Sequence, residues 1–576
     1  MTSSPSRRAG FAAGLLLALA AGAAPAGAQR PGAAPAAAAG PRTGHAMVAA
    51  ADPRAVDAGV AVLRAGGTAA DAAVAVQAVL GLVEPQSSGL GGGAFMTWLD
   101  GRTGRLTVYD GRETAPAAAG PDLFVGPDGR ELGFAQAVLS GRSTGAPGAV
   151  AMLELAHREH GRRPWASLFG DAERLATDGF AVGGRLAAAA GGRFPQAQTP
   201  DAKRYFARVD GAPVRQGDLL KNPAYADAVR RVARGGSAAL LRGEIARDLV
   251  ARTREGIAGA LTEADLAAYR PVKREALCRP YRAYRVCAPP PPAGGVGVLE
   301  ILGVLERTDI ARRGPDDPQA WVTFAQASRL GYADRDLYVG DPAFTSVPTA
   351  GMTDPAYLDG RAKLVATLGG AKVQPGSPPG APAAGADRTA EPGGTTHFVI
   401  ADAFGNVVSM TTTVESPFGS GRMTHGFFLN NQLTDFSWGA RAGAGPHPAN
   451  APGAGKRPRS SMSPAIILDR RGRFVAAVGS PGGNSIIAYV AKAIVGFVDW
   501  GMPMQAAVAL PNLVARGDVV SLEAGARPEV AAALRAAGLT VRADAGEASG
   551  LHAIVKRPDG FEGAADPRRE GVARGY

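Results

Sequence analysis

The spacing of apolar residues predicts two helices near the start of the folded part of the chain. Asp52 followed by Pro53 is typical of a helix start, and apolar residues then recur at helical spacing up to Leu63. Thr68 can cap a second helix over Ala69 to Leu82, which consists largely of Ala and Val. Because this helix has almost no polar face, we expect it to be buried against something flat.

A second pattern, alternation along short runs, predicts two strand hairpins. Residues Met96 to Asp110 alternate on both sides of a turn at residues 101–104. Farther along, the β-rich runs Thr396 to Ala401 and Val407 to Val414 are joined by the five residues 402–406, which are typical of a turn.

The region between the hairpins divides into helical blocks and one segment of another kind. Ala/Leu periodicity predicts helices from Gly148 to Tyr269, and again after Pro289–Pro292 to about Leu368. Gly369 to Gly394 is rich in Pro, Gly and Ala and has almost no large apolar residue, so we expect a flexible linker there. Such a linker would end directly against a buried hairpin, an arrangement that makes sense if the chain is cut there.

Composition and charge exclude several classes of protein. Of 576 residues, 46% are hydrophobic, which excludes a mostly disordered chain. The 62 Lys plus Arg exceed the 51 Asp plus Glu by 11, but Arg is spread along the chain and only 6% of residues are aromatic. We therefore expect a solvated Arg-rich surface and no nucleic-acid partner.

The N-terminal residues have the three parts of a secretory signal peptide. Arg7 and Arg8 supply the positive charge, Phe11 to Ala21 is apolar, and Ala26-Gly27-Ala28 is a cleavage site. We expect a signal peptide at residues 1–28, a disordered leader at 29–43, and a periplasmic or secreted mature protein. No other apolar stretch is long enough to span a membrane.

Cys278 and Cys287 are the two cysteines of the chain. An exported protein can keep a disulfide. If Arg282 and Ala283 form a two-residue turn, the cysteines lie directly across a hairpin, at a spacing near the short end for a disulfide. Two free thiols remain the alternative. Two cysteines alone offer too few ligands for a metal, and we expect none.

Thr395, at the start of the second hairpin, can act as a nucleophile if cleavage makes it an N-terminus. Its α-amine, with an ordinary pKa of about 7.7 to 8.0, would then serve as general base for its own hydroxyl. Gly394 puts no side chain in the way of an N→O acyl shift. The alternative is that Thr395 and Thr413 belong to an ordinary Thr-rich strand pair.

An ordered series of short motifs decides between these interpretations. Upstream stand Asp71-Ala72-Ala73, Gly89-Leu90-Gly91-Gly92-Gly93 and Asp110-Gly111-Arg112-Glu113. Around and after the hairpin stand Thr395-Thr396-His397, Asp402 to Val408, Thr411 to Thr413, Glu415, Phe418-Gly419, Leu429 to Phe436, Lys456 to Pro464, and Gly479 to Gly483. This series, which extends from roughly Gly44 to the C-terminus, resembles the γ-glutamyltransferase family of N-terminal-nucleophile hydrolases.

The resemblance implies an α/β fold, the four-layer αββα sandwich, with two stacked, mainly antiparallel sheets and helices outside. It implies a large subunit (residues 44–394) and a small catalytic subunit (residues 395–576) that stay together as a heterodimer. The implied activity passes the γ-glutamyl group of glutathione or a related compound to water, an amino acid or a dipeptide, through an acyl-enzyme on Thr395. No cofactor is implied.

The resemblance also assigns roles to single residues. Thr413 would hydrogen-bond the Thr395 hydroxyl, and the backbone N–H groups of Gly482 and Gly483 would form the oxyanion hole. The substrate carboxylate would be bound by Arg112, Ser460 and Ser461, because a guanidinium suits a carboxylate. The substrate ammonium would be held by Glu415, Gln432 and Asp435.

Two other functions are compatible with parts of this pattern. A β-lactam side-chain (cephalosporin) acylase on the same scaffold would act on glutaryl-like chains without an α-amine, and would have no use for the acidic cluster. A non-catalytic exported binding protein would not need an intact Thr395. Some relatives carry a lid with an aromatic gate, but between Phe436 and Gly455 no aromatic residue follows Trp438, so we expect water to reach the site.

Overall fold

A computed structural model of the chain describes residues 39–439, 445–546 and 549–576. The predicted signal peptide and most of the predicted leader lie outside these residues. The helices are α1 (Pro53–Arg64), α2 (Ala69–Val83), α3 (Phe134–Leu139), α4 (Ala149–His160), α5 (Gly170–Asp178), α6 (Gly184–Ala190), α7 (Pro200–Tyr205), α8 (Pro223–Gly235), α9 (Ala238–Leu241), α10 (Gly243–Thr253), α11 (Glu263–Ala268), α12 (Gly295–Glu306), α13 (Ile310–Arg313), α14 (Pro318–Tyr338), α15 (Thr349–Met352), α16 (Pro355–Val365), α17 (Ile486–Val498), α18 (Met504–Ala509) and α19 (Pro528–Ala536).

The strands follow the same chain order. They are β1 (Arg42–Thr43), β2 (Met47–Ala50), β3 (Gly93–Leu99), β4 (Leu106–Gly111), β5 (Phe180–Ala181), β6 (Leu219–Leu220), β7 (Val272–Arg274), β8 (Leu277–Tyr281), β9 (Tyr284–Ala288), β10 (Thr395–Ala401), β11 (Val407–Thr413), β12 (Met423–Thr424), β13 (Phe427–Phe428), β14 (Ala465–Asp469), β15 (Phe474–Gly479), β16 (Leu513–Arg516), β17 (Val519–Glu523), β18 (Thr540–Ala545), β19 (His552–Arg557), β20 (Gly560–Ala565) and β21 (Val572–Gly575).

Two seven-stranded antiparallel sheets form the centre of the molecule. One has the order β21-β2-β10-β11-β3-β4-β7 and the other the order β1-β20-β19-β15-β14-β9-β8. Strands far apart in sequence are neighbours, because β10 and β11 lie between β2 and β3. The hairpin that begins at Thr395 is therefore central in its sheet.

Side-chain alternation on the central strands produces the layers. Val399 and Ala401 of β10 belong to the apolar layer between the sheets, where they join residues such as Ile466 and Ile554. Phe398 and Ile400 of β10 point the other way and join the core shared with α1, α2, α4 and α8. A third core packs α12, α14 and α17 on the second sheet. The layers are helix, sheet, sheet and helix, which confirms the predicted αββα sandwich.

The local predictions made from spacing agree with this structure. Asp52 accepts a hydrogen bond from the Arg54 N–H at the start of α1, and Thr68 forms a capping box with Asp71 at the start of α2. Every residue of α2 is buried, as its composition predicts. Cys278 and Cys287 pair across the β8–β9 hairpin and are joined by a disulfide.

Two predicted boundaries need correction. Arg42 and Thr43, assigned to the disordered leader, form an edge strand on β20, because their backbone groups pair with those of Phe561 and Glu562. The segment Gly369 to Gly394 has no helix or strand, as expected, but its last part is not a flexible linker. The part from Asp387 to Gly394 is held by buried ion pairs, which amino-acid composition cannot reveal, and two of its residues, Glu391 and Pro392, line the candidate site. Among the described helices, none is both long and apolar enough to cross a membrane.

Candidate active site

The backbone of the β10–β11 hairpin positions the candidate nucleophile. Thr395 pairs directly with Thr413 across the hairpin, and from Phe398 onward β10 also pairs with β2 on its other side. All seven residues of each strand are buried. Thr and Val are well suited to such a pleated, buried surface, so the sequence favours this rigid placement.

The Thr413 hydroxyl lies between the candidate nucleophile and the preceding carbonyl. The Thr395 hydroxyl donates to Thr413 Oγ1 at 3.2 Å, and the Thr413 hydroxyl donates to the Gly394 carbonyl oxygen at 2.9 Å. The Glu415 N–H donates to the same Thr413 oxygen at 2.8 Å. One side chain thus orients the nucleophile and polarises the carbonyl that it would attack.

Glycine is required on both sides of this arrangement because backbones approach closely. A Cβ atom on Gly394 would lie 2.2 Å from the Glu415 carbonyl oxygen. At Gly483, where φ is +57°, a Cβ would lie 2.5 Å from the carbonyl oxygens of both Glu391 and Pro392. The predicted oxyanion-hole segment Gly482–Gly483 therefore lies against the chain that leads to Thr395.

A single small cavity brings the predicted site residues together. Its lining residues are Arg112, Glu391, Pro392, Thr395, Thr413, Glu415, Gln432, Asp435, Ser460, Ser461, Met462, Gly483 and Ile486. Of the residues named from the sequence for catalysis and substrate binding, Gly482 alone does not line the cavity. The remaining space is about 20 Å³, roughly the room for one water molecule. In the uncut chain, Glu391 and Pro392 form part of the cavity wall.

The acidic end of the cavity holds three oxygen atoms without partners. Glu415 Oε1, Gln432 Oε1 and Asp435 Oδ1 are buried and have no hydrogen-bond partner among the described residues. Burial raises the pKa of Glu415 well above its usual value, and the neighbouring Asp435 raises it further. Buried acceptors without donors are rare, so this end of the cavity is built to receive a donor of hydrogen bonds.

Arg112 is buried beside these acceptors. Its Nη2 donates to Asp435 Oδ2 at 2.6 Å and to the Arg459 carbonyl oxygen at 2.5 Å, and its Nε donates to the Pro458 carbonyl oxygen at 3.1 Å. These bonds fix the plane of the guanidinium in the cavity wall. For Asp435, burial raises the pKa and outweighs the lowering effect of Arg112.

One of the two serines, Ser461, contacts Glu391, a residue to which the sequence assigned no role. Ser461 Oγ donates a short hydrogen bond to Glu391 Oε2 and accepts one from Arg335 Nη2 at 2.9 Å. Ser460 Oγ accepts from the Met462 N–H at 3.1 Å. Nothing in the Pro/Gly-rich composition around Glu391 singles it out. Arg459 belongs to the Lys456 to Pro464 motif, but the sequence does not show which carboxylate pairs with it.

Glu113 follows Arg112 in the Asp110-Gly111-Arg112-Glu113 motif and is buried, but the sequence assigned it no role. Both of its carboxyl oxygens lack hydrogen-bond partners among the described residues, and burial raises its pKa to about 8. His397 of the Thr-Thr-His motif does not line the cavity. It hydrogen-bonds the Thr411 hydroxyl at 2.9 Å, and burial, aided by His552, holds its pKa well below the usual value.

One group in the described part of the chain could hold a metal ion. The carboxylates of Glu244 and Asp248 and the ring of His425 place ligand atoms within 4.8 Å of one another. His425 Nε2 lies 2.7 Å from Asp248 Oδ2. None of the three residues lines the cavity, so the group has no part in its chemistry.

The chain resembles known proteins over nearly its whole length. The sequence model described as gamma-glutamyltranspeptidase matches residues 55–576. The chain is 35% identical to the glutathione hydrolase proenzyme of Bacillus subtilis (strain 168), over 90% of each chain, and 34% identical to that of Escherichia coli (strain K12), over 91% of this chain and 90% of the relative. A crystal structure of cephalosporin acylase from Bacillus halodurans is similar at a TM-score of 0.82 and 26% identity, covering 95% of this chain and 99% of that one.

Proposed function

The chain belongs to the γ-glutamyltranspeptidase family of N-terminal-nucleophile hydrolases, and from this premise we propose that it cuts itself between Gly394 and Thr395. It is a γ-glutamyltransferase and glutathione hydrolase, a processed two-subunit enzyme that acts on small-molecule substrates. The cut would leave a large subunit that ends at Gly394 and a small subunit that begins with Thr395.

The geometry around the bond supports the proposed cut. The Thr395 oxygen attacks the Gly394 carbonyl carbon and loses its proton, the C–N bond breaks, and the leaving nitrogen takes up that proton to become the new α-amine. Water then hydrolyses the resulting ester and leaves a carboxylate on Gly394. Thr413 donates to the oxygen on which negative charge develops, as this step requires.

In the mature enzyme the freed amine of Thr395 would act as base. It takes the hydroxyl proton as the oxygen attacks the γ-amide carbonyl, and returns it to the leaving amine. The amides of Gly482 and Gly483 would stabilise the oxyanion, and Arg112, Ser460 and Ser461 would bind the α-carboxylate. Water or an acceptor amine then removes the γ-glutamyl group from Thr395.

One observation carries the choice of a γ-glutamyl substrate over a glutaryl one. Glu415, Gln432 and Asp435 line the cavity, and each has a buried oxygen that accepts no hydrogen bond from the described residues. An α-ammonium has three donors and a positive charge, so it would satisfy these acceptors and favour ionised carboxylates. A glutaryl chain has no such group: it would leave Gln432 Oε1 buried and unpaired, and Glu415 and Asp435 could be satisfied only by sharing a proton.

A matched pair of substrates tests this choice. γ-Glutamyl-p-nitroanilide and glutaryl-p-nitroanilide differ only at the α-ammonium, which the glutaryl compound lacks while it keeps the corresponding carboxylate. A third substrate, 4-aminobutyryl-p-nitroanilide, keeps only the amine end and separates the two effects. We expect the γ-glutamyl compound to be preferred by at least about tenfold in kcat/KM, the cost of burying unpaired polar groups. Faster release from the glutaryl compound would favour a cephalosporin acylase instead.

The reaction should also depend on pH and on acceptor. We expect kcat/KM to rise with pH as the Thr395 ammonium loses its proton, through an apparent pKa near the ordinary range of about 7.7 to 8.0. Glutamate release is measured from pH 6 to 10 with and without glycylglycine. We expect clear release without acceptor, because no aromatic gate follows Trp438, which stacks on Phe124 with ring centroids 4.8 Å apart. Negligible release without acceptor at every pH would contradict this.

We further propose that the enzyme is exported to the periplasm or secreted. The sequence features of residues 1–28 support this, and so does the disulfide between Cys278 and Cys287, which persists in oxidising compartments. Fractionation of cells followed by a gel of each fraction would test it. Activity confined to the cytoplasm would contradict the proposal.

A further inference from the structure

The segment that precedes the proposed cut is anchored by side chains. Between residues 387 and 394 it has no helix or strand. Asp387 Oδ2 accepts from Arg459 Nη2 at 2.6 Å, and the Thr389 carbonyl oxygen accepts from Arg516 Nη2 at 3.2 Å. These contacts hold the entrance of the segment, several residues away from Gly394.

Glu391 is the anchor nearest the proposed cut. Its carboxylate accepts two hydrogen bonds from Arg335, at 2.8 and 3.0 Å, and two from Arg459, at 2.9 and 3.1 Å. Ser461 adds a fifth bond. The side chains of both arginines are fully buried and that of Glu391 is 3% exposed. Burial would raise the pKa of Glu391, but the two guanidinium groups outweigh it and hold the pKa far below its usual range.

The backbone at Glu391 is held as firmly as its side chain. Glu391 has φ of +50°, a left-handed conformation that costs energy for a residue other than glycine and persists only where contacts impose it. Its carbonyl oxygen accepts from the Asn484 N–H at 3.0 Å, and the Asn484 side chain donates to the Ala390 carbonyl oxygen at 3.0 Å. Asn484 directly follows the Gly482–Gly483 segment.

From these contacts we infer that Glu391 is a positioning residue for self-cleavage. The inference rests on the proposed function, because it requires a cut between Gly394 and Thr395. With Glu391 clamped, three residues separate a fixed carboxylate from the Thr395 nitrogen, and the Gly394 carbonyl is held on the Thr413 hydroxyl. Without the clamp, Pro392, Gly393 and Gly394 can turn the carbonyl away from the nucleophile.

The effect should appear in the rate of the acyl shift. Holding two reacting groups in line accounts for a large share of the rate of intramolecular reactions, and a displacement of about 1 Å can cost roughly 100-fold. Glu391→Gln keeps the length of the side chain but removes the charge that pairs with Arg335 and Arg459. Glu391→Asp keeps the charge on a shorter side chain.

The test follows the conversion of freshly made full-length chain into its two fragments. Protein is synthesised in a cell-free system, translation is stopped, and samples are taken over time for denaturing gels. We expect Glu391→Gln to slow cleavage at least about tenfold and Glu391→Asp to recover part of that rate. Asp387→Asn is the matched comparison, because it also removes a carboxylate partner of Arg459 but lies farther from Gly394; it should slow cleavage much less than Glu391→Gln does, and an equal loss of rate would contradict the inference.

A stability measurement separates positioning from simple loss of folding. The same substitutions are placed in the Thr395→Ala background, where the chain stays uncut, and thermal unfolding is recorded. We expect Glu391→Gln to cleave slowly even at temperatures well below its unfolding midpoint, where the chain is still folded. If cleavage is slow only where unfolding has begun, or if Glu391→Gln cleaves as fast as the wild type, the inference is wrong. A wild-type chain that never cleaves would instead overturn the proposed function.

Discussion

The two sides of the Gly394–Thr395 peptide bond are held in different ways. On the C-terminal side, β10 belongs to a sheet and is paired with β11 along its whole length. On the N-terminal side, residues 387–394 pair with no strand, and ion pairs and side-chain hydrogen bonds anchor them. The candidate nucleophile thus lies on a backbone framework, whereas the segment with the carbonyl that it would attack is held mainly by individual side chains.

This difference suits a bond that has to break once. Ladder hydrogen bonds use backbone groups that every residue except proline supplies, so the position of Thr395 tolerates many substitutions around it. The N-terminal side depends on few, specific charges, so single substitutions there should affect the cut. After the proposed cut, no peptide bond would tie the N-terminal segment to the sheet, so Glu391 and Pro392 could move away from the cavity that they line.

The largest expected effect comes from removing the nucleophile. Thr395→Ala should give one uncut band and no measurable γ-glutamyl hydrolysis, because it removes the hydroxyl that would attack Gly394 and later carry the γ-glutamyl group. The wild type should give fragments of about 37 and 18 kDa, in proportion to their residue numbers, if the leader ends at Ala28. Thr396→Val is the matched control, since the buried Thr396 hydroxyl has no partner in the described structure; this variant should still cut.

The next effect tests the one side chain that touches both sides of the bond. Thr413→Val removes the donor to the Gly394 carbonyl and the acceptor for the Thr395 hydroxyl. We expect self-cleavage to slow on the order of 100-fold, the usual cost of one oxyanion donor. Thr411→Val, two residues earlier on the same strand, should cleave normally, since Thr411 bonds His397 outside the cavity. Equal rates for both variants would mean that Thr413 has no special role.

A smaller effect should separate substrate binding from self-cleavage. Arg112→Gln should raise KM sharply and lower kcat/KM by about 30-fold or more, since removing one partner of a buried charged pair costs about 2 to 5 kcal/mol. Self-cleavage should continue, because it does not use the substrate carboxylate. Arg102→Gln, at the exposed turn of the same hairpin, is the control. Kinetics of Arg112→Gln within about threefold of wild type would contradict the assignment.

The smallest effect concerns stability and pH. Burial raises the pKa of Glu113 to about 8, so the folded chain keeps a proton that the unfolded chain releases near its ordinary value of 4.5. The stabilisation from the neutral carboxyl is full below about pH 4.5 and is lost as pH rises through about 8. The test compares the uncut Thr395→Ala chain with the same chain that also carries Glu113→Gln. Going from pH 5 to pH 8 should lower the unfolding temperature of the chain that keeps Glu113 more than that of the chain with Gln. Parallel melting curves at both pH values would show that Glu113 is ionised throughout.

Much of this protein could be predicted from sequence because the determining features are local. Asp52, Thr68 and the alternation around Thr395 act through neighbouring backbone, so spacing alone predicts α1, α2 and the β10–β11 hairpin. The fold and the candidate roles of Thr395 and Arg112 came from motifs in a fixed order, which resemblance to a family can interpret. The pairing of Cys278 with Cys287 could also be predicted, because the two residues are equally far from a two-residue turn at Arg282 and Ala283.

The tertiary structure alone decided which charges meet. Glu391 lies in a segment whose composition predicts a flexible linker, yet it meets Arg335 from α14 and Arg459 from a distant loop. Electrostatic attraction and burial depend on distances in space, and sequence separations of 56 and 68 residues carry no information about them. For the same reason, the raised pKa of Glu113 and the unpartnered oxygens at the acidic end of the cavity became visible only once the chain was folded.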